Sequence, residues 1–164
     1  MLSALLAYWI RLCGTRGMPA RREVDPLALG ARLLPHMAII DVLDGGTRFR
    51  FRLCGTGLAA AAGVDLTGKY VDALNPNQDY AAYIQAVYRR TAETRRPVYS
   101  ETLYAGLESG SPRRLAKRLL CPLSDDGLAC SHILGAQTFV LAPGAHAPST
   151  TYSGTFEPRV DEVL

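Results

Sequence analysis

The chain has 164 residues, of which 48% are apolar, and its 18 basic and 15 acidic residues give a net charge of +3. This length and composition suit one compact core with short appendages. The charge is mild and Asp and Glu are spread along the chain, so the sequence argues against a nucleic-acid partner.

The first 14 residues lack the basic segment and small-residue cleavage site of an export signal, and they are too few to span a bilayer. Apolar residues at spacings of three and four predict an amphipathic helix here, with the stripe Leu2, Leu5, Leu6, Trp9, Ile10 and Cys13. We expect this helix to pack on the domain. Two alternatives stay open, a dimerisation helix and a surface for a protein partner, and both would use Leu5, Leu6, Trp9 and Ile10.

A basic connector and a short helix capped by Asp25, with Pro26 at its first position, complete an N-terminal helical extension, residues 1–33. A β-hairpin is predicted next, with strands at 37–43 and 47–54 around an Asp-Gly-Gly turn. Its second strand alternates, so that one side carries Phe49, Phe51 and Leu53 and the other carries Arg48, Arg50 and Arg52. The aromatic side is predicted to be buried.

Downstream, four alanines predict a short helix at 59–62, and Asn75-Pro76 begin a longer helix that runs to Thr94. One stripe of this longer helix must face the core, namely Tyr80, Tyr83, Ile84, Val87 and Tyr88. Three strands are predicted after it, at 98–104, 114–123 and 130–141. Residues 143–164, rich in Pro, Ser and Gly, are predicted to be a flexible tail.

This order of elements predicts an α+β fold, in which a five-stranded antiparallel sheet carries short helices and one longer helix on one face, plus the N-terminal helix. The order and several short motifs resemble the single-domain PAS proteins of the PAS_5 family, which are common in alphaproteobacteria. The similarity covers residues 5–141, and the motifs that carry it are Tyr8-Trp9, Asp25-Pro26, Leu34-Pro35, Phe51-Arg52-Leu53-x-Gly55-Thr56, Asp65-Leu66-Thr67-Gly68 and Pro122-Leu123-Ser124-Asp125-Asp126-Gly127.

The resemblance implies a PAS domain at 34–142, between the N-terminal extension and the tail. It further implies a sensory or protein-interaction module that binds a small ligand between sheet and helices or serves as a dimerisation platform. Because the sequence carries no kinase, cyclase or DNA-binding domain, any output is expected to pass through a separate signalling partner.

A ligand pocket is expected between the sheet and the tyrosine-bearing helix, because a buried tyrosine offers both a ring and a hydroxyl. The candidate pocket residues are Phe49, Phe51, Leu66, Tyr80, Tyr83, Ile84, Val87, Tyr88, Leu119 and His132. Plain core packing of the same residues is the alternative, and a one-residue error in strand facing would reverse the strand part of the set. For His132, a structural hydrogen bond is a further alternative.

The sequence supports no particular cofactor, metal site or catalytic set. The segment 55–60, G-T-G-L-A-A, resembles a dinucleotide fingerprint, but the alternating arginines before it do not suit a strand buried on both faces. The segment 63–69 has Walker A spacing, but Tyr70 stands where Ser or Thr should bind magnesium. Haem and flavin are not supported, since the long helix carries no histidine and no cysteine lies between Gly55 and Asn75. No serine nucleophile elbow is present, so an enzyme is not expected.

The four cysteines, Cys13, Cys54, Cys121 and Cys130, form no C-x-x-C pair and lie in apolar segments. They predict free thiols in a reducing compartment, hence a cytoplasmic protein. Basic residues concentrate at Arg89-Arg90, Arg95-Arg96, Arg113-Arg114 and Lys117-Arg118. These predict a solvated face or, as the alternative, a site for an acidic partner or an anionic nucleotide messenger.

The leading prediction is a cytoplasmic, homodimeric PAS regulator that signals through protein contacts. A metabolite or nucleotide sensor with ligand-controlled dimerisation is the alternative, and a small enzyme is the least favoured function.

Overall fold

The computed structural model describes residues 1–74, 77–104, 114–141 and 156–164. Within these ranges the α-helices are α1 (Leu2–Cys13), α2 (Pro26–Leu29), α3 (Thr56–Ala62) and α4 (Gln78–Thr94). The strands are β1 (Met37–Leu43), β2 (Arg48–Cys54), β3 (Val98–Tyr104), β4 (Arg114–Leu123), β5 (His132–Leu141) and β6 (Phe156–Val163). The predicted helix start at Asn75-Pro76 lies outside the described residues.

The strands form one antiparallel sheet in the order β2-β1-β5-β4-β3-β6. The α+β fold is therefore as predicted, but the sheet has six strands among the described residues instead of five. The sixth strand, β6, lies within the segment that was predicted to be a flexible tail, and that prediction is wrong for residues 156–163. Residues 142–155 of the predicted tail lie outside the described residues.

The sequence of β6 hides its strand character because Pro158 cannot donate a ladder hydrogen bond. β6 is an edge strand, however, and Pro158 lies opposite Thr102 at an irregularity in the pairing with β3. Edge strands and bulges are the places in a sheet where proline is tolerated. Val163, near the end of β6, packs against the core beneath α4, so this edge contributes apolar contacts to the domain.

Each face of the sheet carries its own apolar core. On the face covered by α3 and α4, here the α4 face, the core includes Ile40, Phe49, Phe51, Leu120 and Ile133. On the opposite face, here the α1 face, α1 packs on a second core, which includes Leu119, Cys121, Leu123 and Leu134. Consecutive β4 residues thus alternate between the two cores, as the two-residue period of a strand requires.

A β-bulge in the hairpin of β1 and β2 changes the facing of one predicted core residue. Ile40 pairs with Phe51 while Ile39 pairs with Leu53, so Arg52 is the extra residue. Beyond a bulge the alternation shifts by one. Phe49 and Phe51 are buried as predicted, but Leu53 lies opposite Ile39 and is 50% exposed, which corrects its predicted burial.

The N-terminal helix packs on the domain, as its amphipathic stripe predicted. Its apolar side buries Leu5, Tyr8, Trp9 and Cys13, and the Trp9 Nε1–H donates a hydrogen bond to the Pro122 carbonyl at 2.7 Å. Leu5 and Trp9 are therefore core residues of the single chain and are not exposed to a second subunit, which corrects their prediction as partner contacts. Leu6 packs partly against the same core, and Ile10 is 56% exposed.

Candidate functional site

A cavity of about 170 Å³ lies between the α4 face of the sheet and helices α3 and α4. Small side chains create the space, because Ala38 on β1, Ala61 on α3 and Ala81 on α4 all line it. Gly135 on β5 lines it too, and a Cβ there would come within 3.1 Å of Leu120 Cδ2 and 3.4 Å of Ile40 Cδ1. Because these positions carry small side chains, the larger side chains around them do not fill the space, and a void the size of a small ligand remains in the core.

Half of the predicted pocket residues line this cavity. They are Phe51, Leu66, Tyr80, Ile84 and Tyr88. Phe49 and Val87 lie in the adjoining apolar core, where the Phe49 and Tyr88 ring centroids are 5.5 Å apart. Tyr83 is half-buried and reaches β6 instead, as described below.

Two predicted pocket residues lie on the wrong face of the sheet. Leu119 belongs to the core beneath α1, and its neighbour Leu120 faces the cavity in its place. His132 sits in a polar cluster on the α1 face. Both errors arise because side chains alternate between the two faces of a strand, so an error of one residue places a side chain on the opposite face of the sheet.

A row of polar side chains crosses the sheet beneath α4. Gln137, Arg118, Ser100 and Asp161 pair in register from β5 through β4 and β3 to β6. The Arg118 guanidinium donates from Nε to Gln137 Oε1 at 3.0 Å and from Nη1 to Ser100 Oγ at 3.2 Å. Only 4% of Arg118 is exposed, and both Arg118 and Gln137 line the cavity. The row therefore gives an otherwise apolar cavity a cationic end.

Tyrosines of α4 connect this row to the helix. The Tyr80 side chain interacts with the Arg118 guanidinium. The Tyr83 hydroxyl donates to Asp161 Oδ1 at 2.8 Å and accepts from Thr102 Oγ1 at 3.3 Å. Burial is the main cause that raises the pKa of Tyr83 to about 12 and that of Tyr88 to about 12. The Tyr83 and Tyr88 phenols consequently stay protonated at neutral pH.

Arg118 was predicted to lie in a surface cluster of basic residues, and the structure corrects that prediction. Arg118 is buried under α4, whereas its neighbour Lys117 points to the other face and pairs with Glu101 at 3.0 Å. The burial of Arg118 could have been predicted from the alternation of β4, because Arg118 lies on the same side of the strand as the buried Ala116 and Leu120. No sequence pattern indicated that Gln137 would line the cavity. Arg113, another member of the predicted cluster, lies outside the described residues.

A second polar cluster lies on the α1 face around Asp41, which is 4% exposed. Its carboxylate accepts hydrogen bonds from Arg50 Nη2 at 2.8 Å and Arg52 Nε at 2.6 Å. Burial would raise the pKa of Asp41, but the two arginine hydrogen bonds outweigh it and hold that pKa below its usual range. Because the charge of the β1 residue Asp41 is compensated by two arginines of β2, this cluster stabilises the pairing of β1 with β2.

The Asp41 cluster also contains a serine, a histidine and two carboxylates that could suggest a nucleophile. His132 Nε2 lies 3.6 Å from Asp41, and its Nδ1 lies 3.0 Å from Ser131 Oγ. The Ser131 hydroxyl, however, donates to Asp125 Oδ2 at 3.2 Å and accepts from the Asp125 backbone N–H. A serine whose proton is held by a carboxylate is not activated by the histidine. These bonds close the turn between β4 and β5.

Acidification is expected to destabilise the protein through this cluster. Burial is the main cause that lowers the pKa of His132, although Asp125 and Asp41 oppose it. The unfolded chain therefore takes up a proton at His132 first as the pH falls through about 6.5, and unfolding becomes easier. We expect the urea midpoint to fall between pH 7.5 and pH 5.5. In His132→Gln the fall should be smaller, and an equal fall in both proteins would contradict this assignment.

No group of three or more His, Cys, Asp or Glu residues in the described ranges is arranged to hold a metal ion. Among the residues that the structure describes, no helix has both the length and the apolar composition needed to cross a membrane.

Comparison with known proteins agrees with the fold. The chain matches the family PAS_5, described as a PAS domain, over residues 1–138. Among solved structures it is similar to the PAS domain of BvgS from Bordetella pertussis, with a TM-score of 0.52 and 15% sequence identity over 84% of this chain and 87% of that one. No curated protein matches the chain significantly. The protein therefore belongs to the PAS_5 family of PAS domains, as its sequence motifs indicated.

Proposed function

We propose that this PAS domain is a sensory module whose signal is a small organic molecule bound in the cavity between the sheet and α4. The observation that carries the proposal is a cavity of about 170 Å³ in the domain core whose lining includes the buried Arg118. Simple core packing does not require such a void, because protein interiors are close-packed and a cavity of this size costs stability. PAS domains are in general sensory or regulatory modules, which agrees with this use.

The test is to fill the cavity without disturbing the surface. Ala81 of α4 lines the cavity, and its neighbour Ala82 is exposed. Ala81→Phe adds an aromatic ring, and a cavity of about 150 Å³ is just large enough for benzene. We expect Ala81→Phe to abolish binding and Ala82→Phe, the matched control on the same helix, to leave binding unchanged.

Binding is measured by native mass spectrometry of the purified protein, for a molecule that co-purifies, and by amide chemical shifts during titration with toluene, benzamide and benzoate. The proposal fails if no molecule co-purifies and none of the three probes shifts amides of cavity-lining residues such as Ile84 and Leu120. It also fails if the two alanine variants bind the probes equally well.

Signal output through a protein partner and the formation of a homodimer stay predictions, as does the cytoplasmic location. The same native spectra report the oligomeric state. Among the partner contacts predicted from the sequence, Leu6 and Ile10 remain available at the surface of α1 in the folded chain.

A further inference from the structure

The cavity has one charged end, and this end indicates the chemistry of its ligand. The argument rests on the proposed function, that the cavity binds a small molecule. Arg118 is 4% exposed, and its hydrogen-bond partners are the neutral side chains of Gln137 and Ser100. In the described part of the chain no carboxylate forms an ion pair with it, in contrast to Arg50 and Arg52, which share Asp41.

A buried guanidinium with neutral partners is costly, because arginine does not lose its proton in proteins and the full charge must be desolvated. The neighbouring carboxylate in the row, Asp161, lies two strands away and accepts its hydrogen bond from Tyr83. An anion in the cavity would compensate the charge of Arg118 at short range, where charge-assisted hydrogen bonds are about twice as strong as neutral ones.

An independent observation at the same cavity concerns Tyr88. This tyrosine lines the cavity and is 4% exposed, yet its hydroxyl makes no hydrogen bond within the described residues. The hydroxyl is not among the fully enclosed polar atoms that lack a partner, so it is accessible from the cavity. Because burial holds the pKa of Tyr88 at about 12, its hydroxyl is a proton donor at neutral pH. A ligand oxygen would satisfy it.

Apart from Arg118, Gln137, Tyr80 and Tyr88, the wall is apolar. Ile40, Phe51, Leu58, Leu66 and Val71 surround the space. A cavity of about 150 Å³ accommodates benzene, so a cavity of about 170 Å³ has room for a body of that size with one small polar group attached.

We propose that the cavity binds a small monocarboxylic acid with a compact apolar body, about the size of benzoate. Its carboxylate accepts hydrogen bonds from Arg118 and Tyr88, and its apolar body packs on Ile40, Phe51 and Leu120. A carboxylate has about four acceptor positions, enough for both donors. A neutral hydrocarbon would leave Arg118 without a charged partner and the Tyr88 hydroxyl without an acceptor. A nucleotide messenger, one of the alternatives from the sequence, is too large for this volume.

The experiment titrates the full chain with three probes of one shape, benzoate, benzamide and toluene, by calorimetry and amide chemical shifts. We expect benzoate to bind at least about 10-fold more tightly than benzamide, because a hydrogen bond to a charged group contributes about 1.5–3 kcal/mol. In Arg118→Met, benzoate affinity should fall about 10- to 100-fold while toluene still binds. Lys117→Met is the control, since Lys117 is next in sequence but faces away, and it should bind benzoate like the wild type.

Tyr88→Phe tests the second donor and keeps the proposal decidable if Arg118→Met does not fold. It removes only the hydroxyl, so benzoate affinity should fall several-fold and toluene affinity should not. If benzamide and toluene bind as well as benzoate and both variants behave like the wild type, the acid proposal is overturned while ligand binding stands. If none of the three probes binds the cavity, the acid proposal is overturned, and if in addition no molecule co-purifies, the proposed function is overturned with it.

Discussion

Replacing Gly55 by alanine is expected to cost the domain about 3 kcal/mol or more of its free energy of unfolding, enough to unfold a marginally stable protein. Gly55 lies between β2 and α3, where the 3₁₀-helix Leu34–His36 crosses it. A Cβ on Gly55 would lie 2.5 Å from the carbonyl oxygens of both Leu34 and Pro35. These are backbone atoms, so no side-chain rotation relieves the clash, and the crossing segments must separate.

Urea denaturation of Gly55→Ala and Gly17→Ala checks this. Gly17 is the matched control, because a Cβ there meets no heavy atom within 4 Å, and its substitution should change stability by about 0.5 kcal/mol or less. If Gly55→Ala were as stable as the wild type, the close approach of the 3₁₀-helix to Gly55 would be incorrect.

The same contact explains the G-x-G-x-x-A pattern at 55–60. Gly57 also approaches this 3₁₀-helix, since its Cβ would lie 2.9 Å from the Pro35 carbonyl oxygen. Both glycines are therefore needed for the chain crossing, which accounts for the pattern without a dinucleotide. Gly63 and Gly68, in the Walker-like segment, both have positive φ values and make turns that other residues rarely adopt.

Much of the fold could be predicted because periodic patterns report which side of an element is buried. The alternation of Phe49 and Phe51 identified β2, and the spacing of Tyr80, Ile84 and Tyr88 identified the buried side of α4. The side of α1 that carries Leu5 and Trp9 was equally clear. In each of these elements one face is apolar and the other polar, so the pattern has a single solution.

The errors occurred where that condition fails. β4 is buried on both faces from Leu119 to Leu123, so the sequence does not show which residues face which core. The bulge at Arg52 has no sequence signal, and β6 was missed because proline excludes a central strand but not an edge strand.

The candidate site was predicted on its helical side and missed on its strand side for a related reason. A charged residue in a strand is normally assigned to solvent, and Arg118 is the exception, held beneath α4 by Ser100 and Gln137. Ser100 is 18 positions and Gln137 is 19 positions away from Arg118 in the sequence, and strand pairing alone brings the three into one row. Local sequence patterns do not reveal pairings between residues this far apart.

Substitution of Trp9 by alanine is expected to lower the free energy of unfolding by about 3–5 kcal/mol, the range for removing a large buried aromatic side chain. Trp9 is 7% exposed within the core beneath α1, and its indole donates to the Pro122 carbonyl of β4 across 113 positions of sequence. The loss of this donor also leaves a buried carbonyl without its hydrogen bond, which adds to the cost. The helix therefore belongs to the folding unit of the single chain.

Ile10→Ala is the matched control, because Ile10 is next in sequence and 56% exposed. Its stability should stay within about 0.5 kcal/mol of the wild type, and urea denaturation of both variants gives the comparison. Sedimentation of Ile10→Ala then tests whether α1 contributes to the predicted homodimer. Removal of residues 1–14 would be a poorer test, because it would also destabilise the fold of the single chain. Equal loss of stability in the two variants would mean that α1 does not pack through Trp9, and the α1 face would then be open to a second subunit.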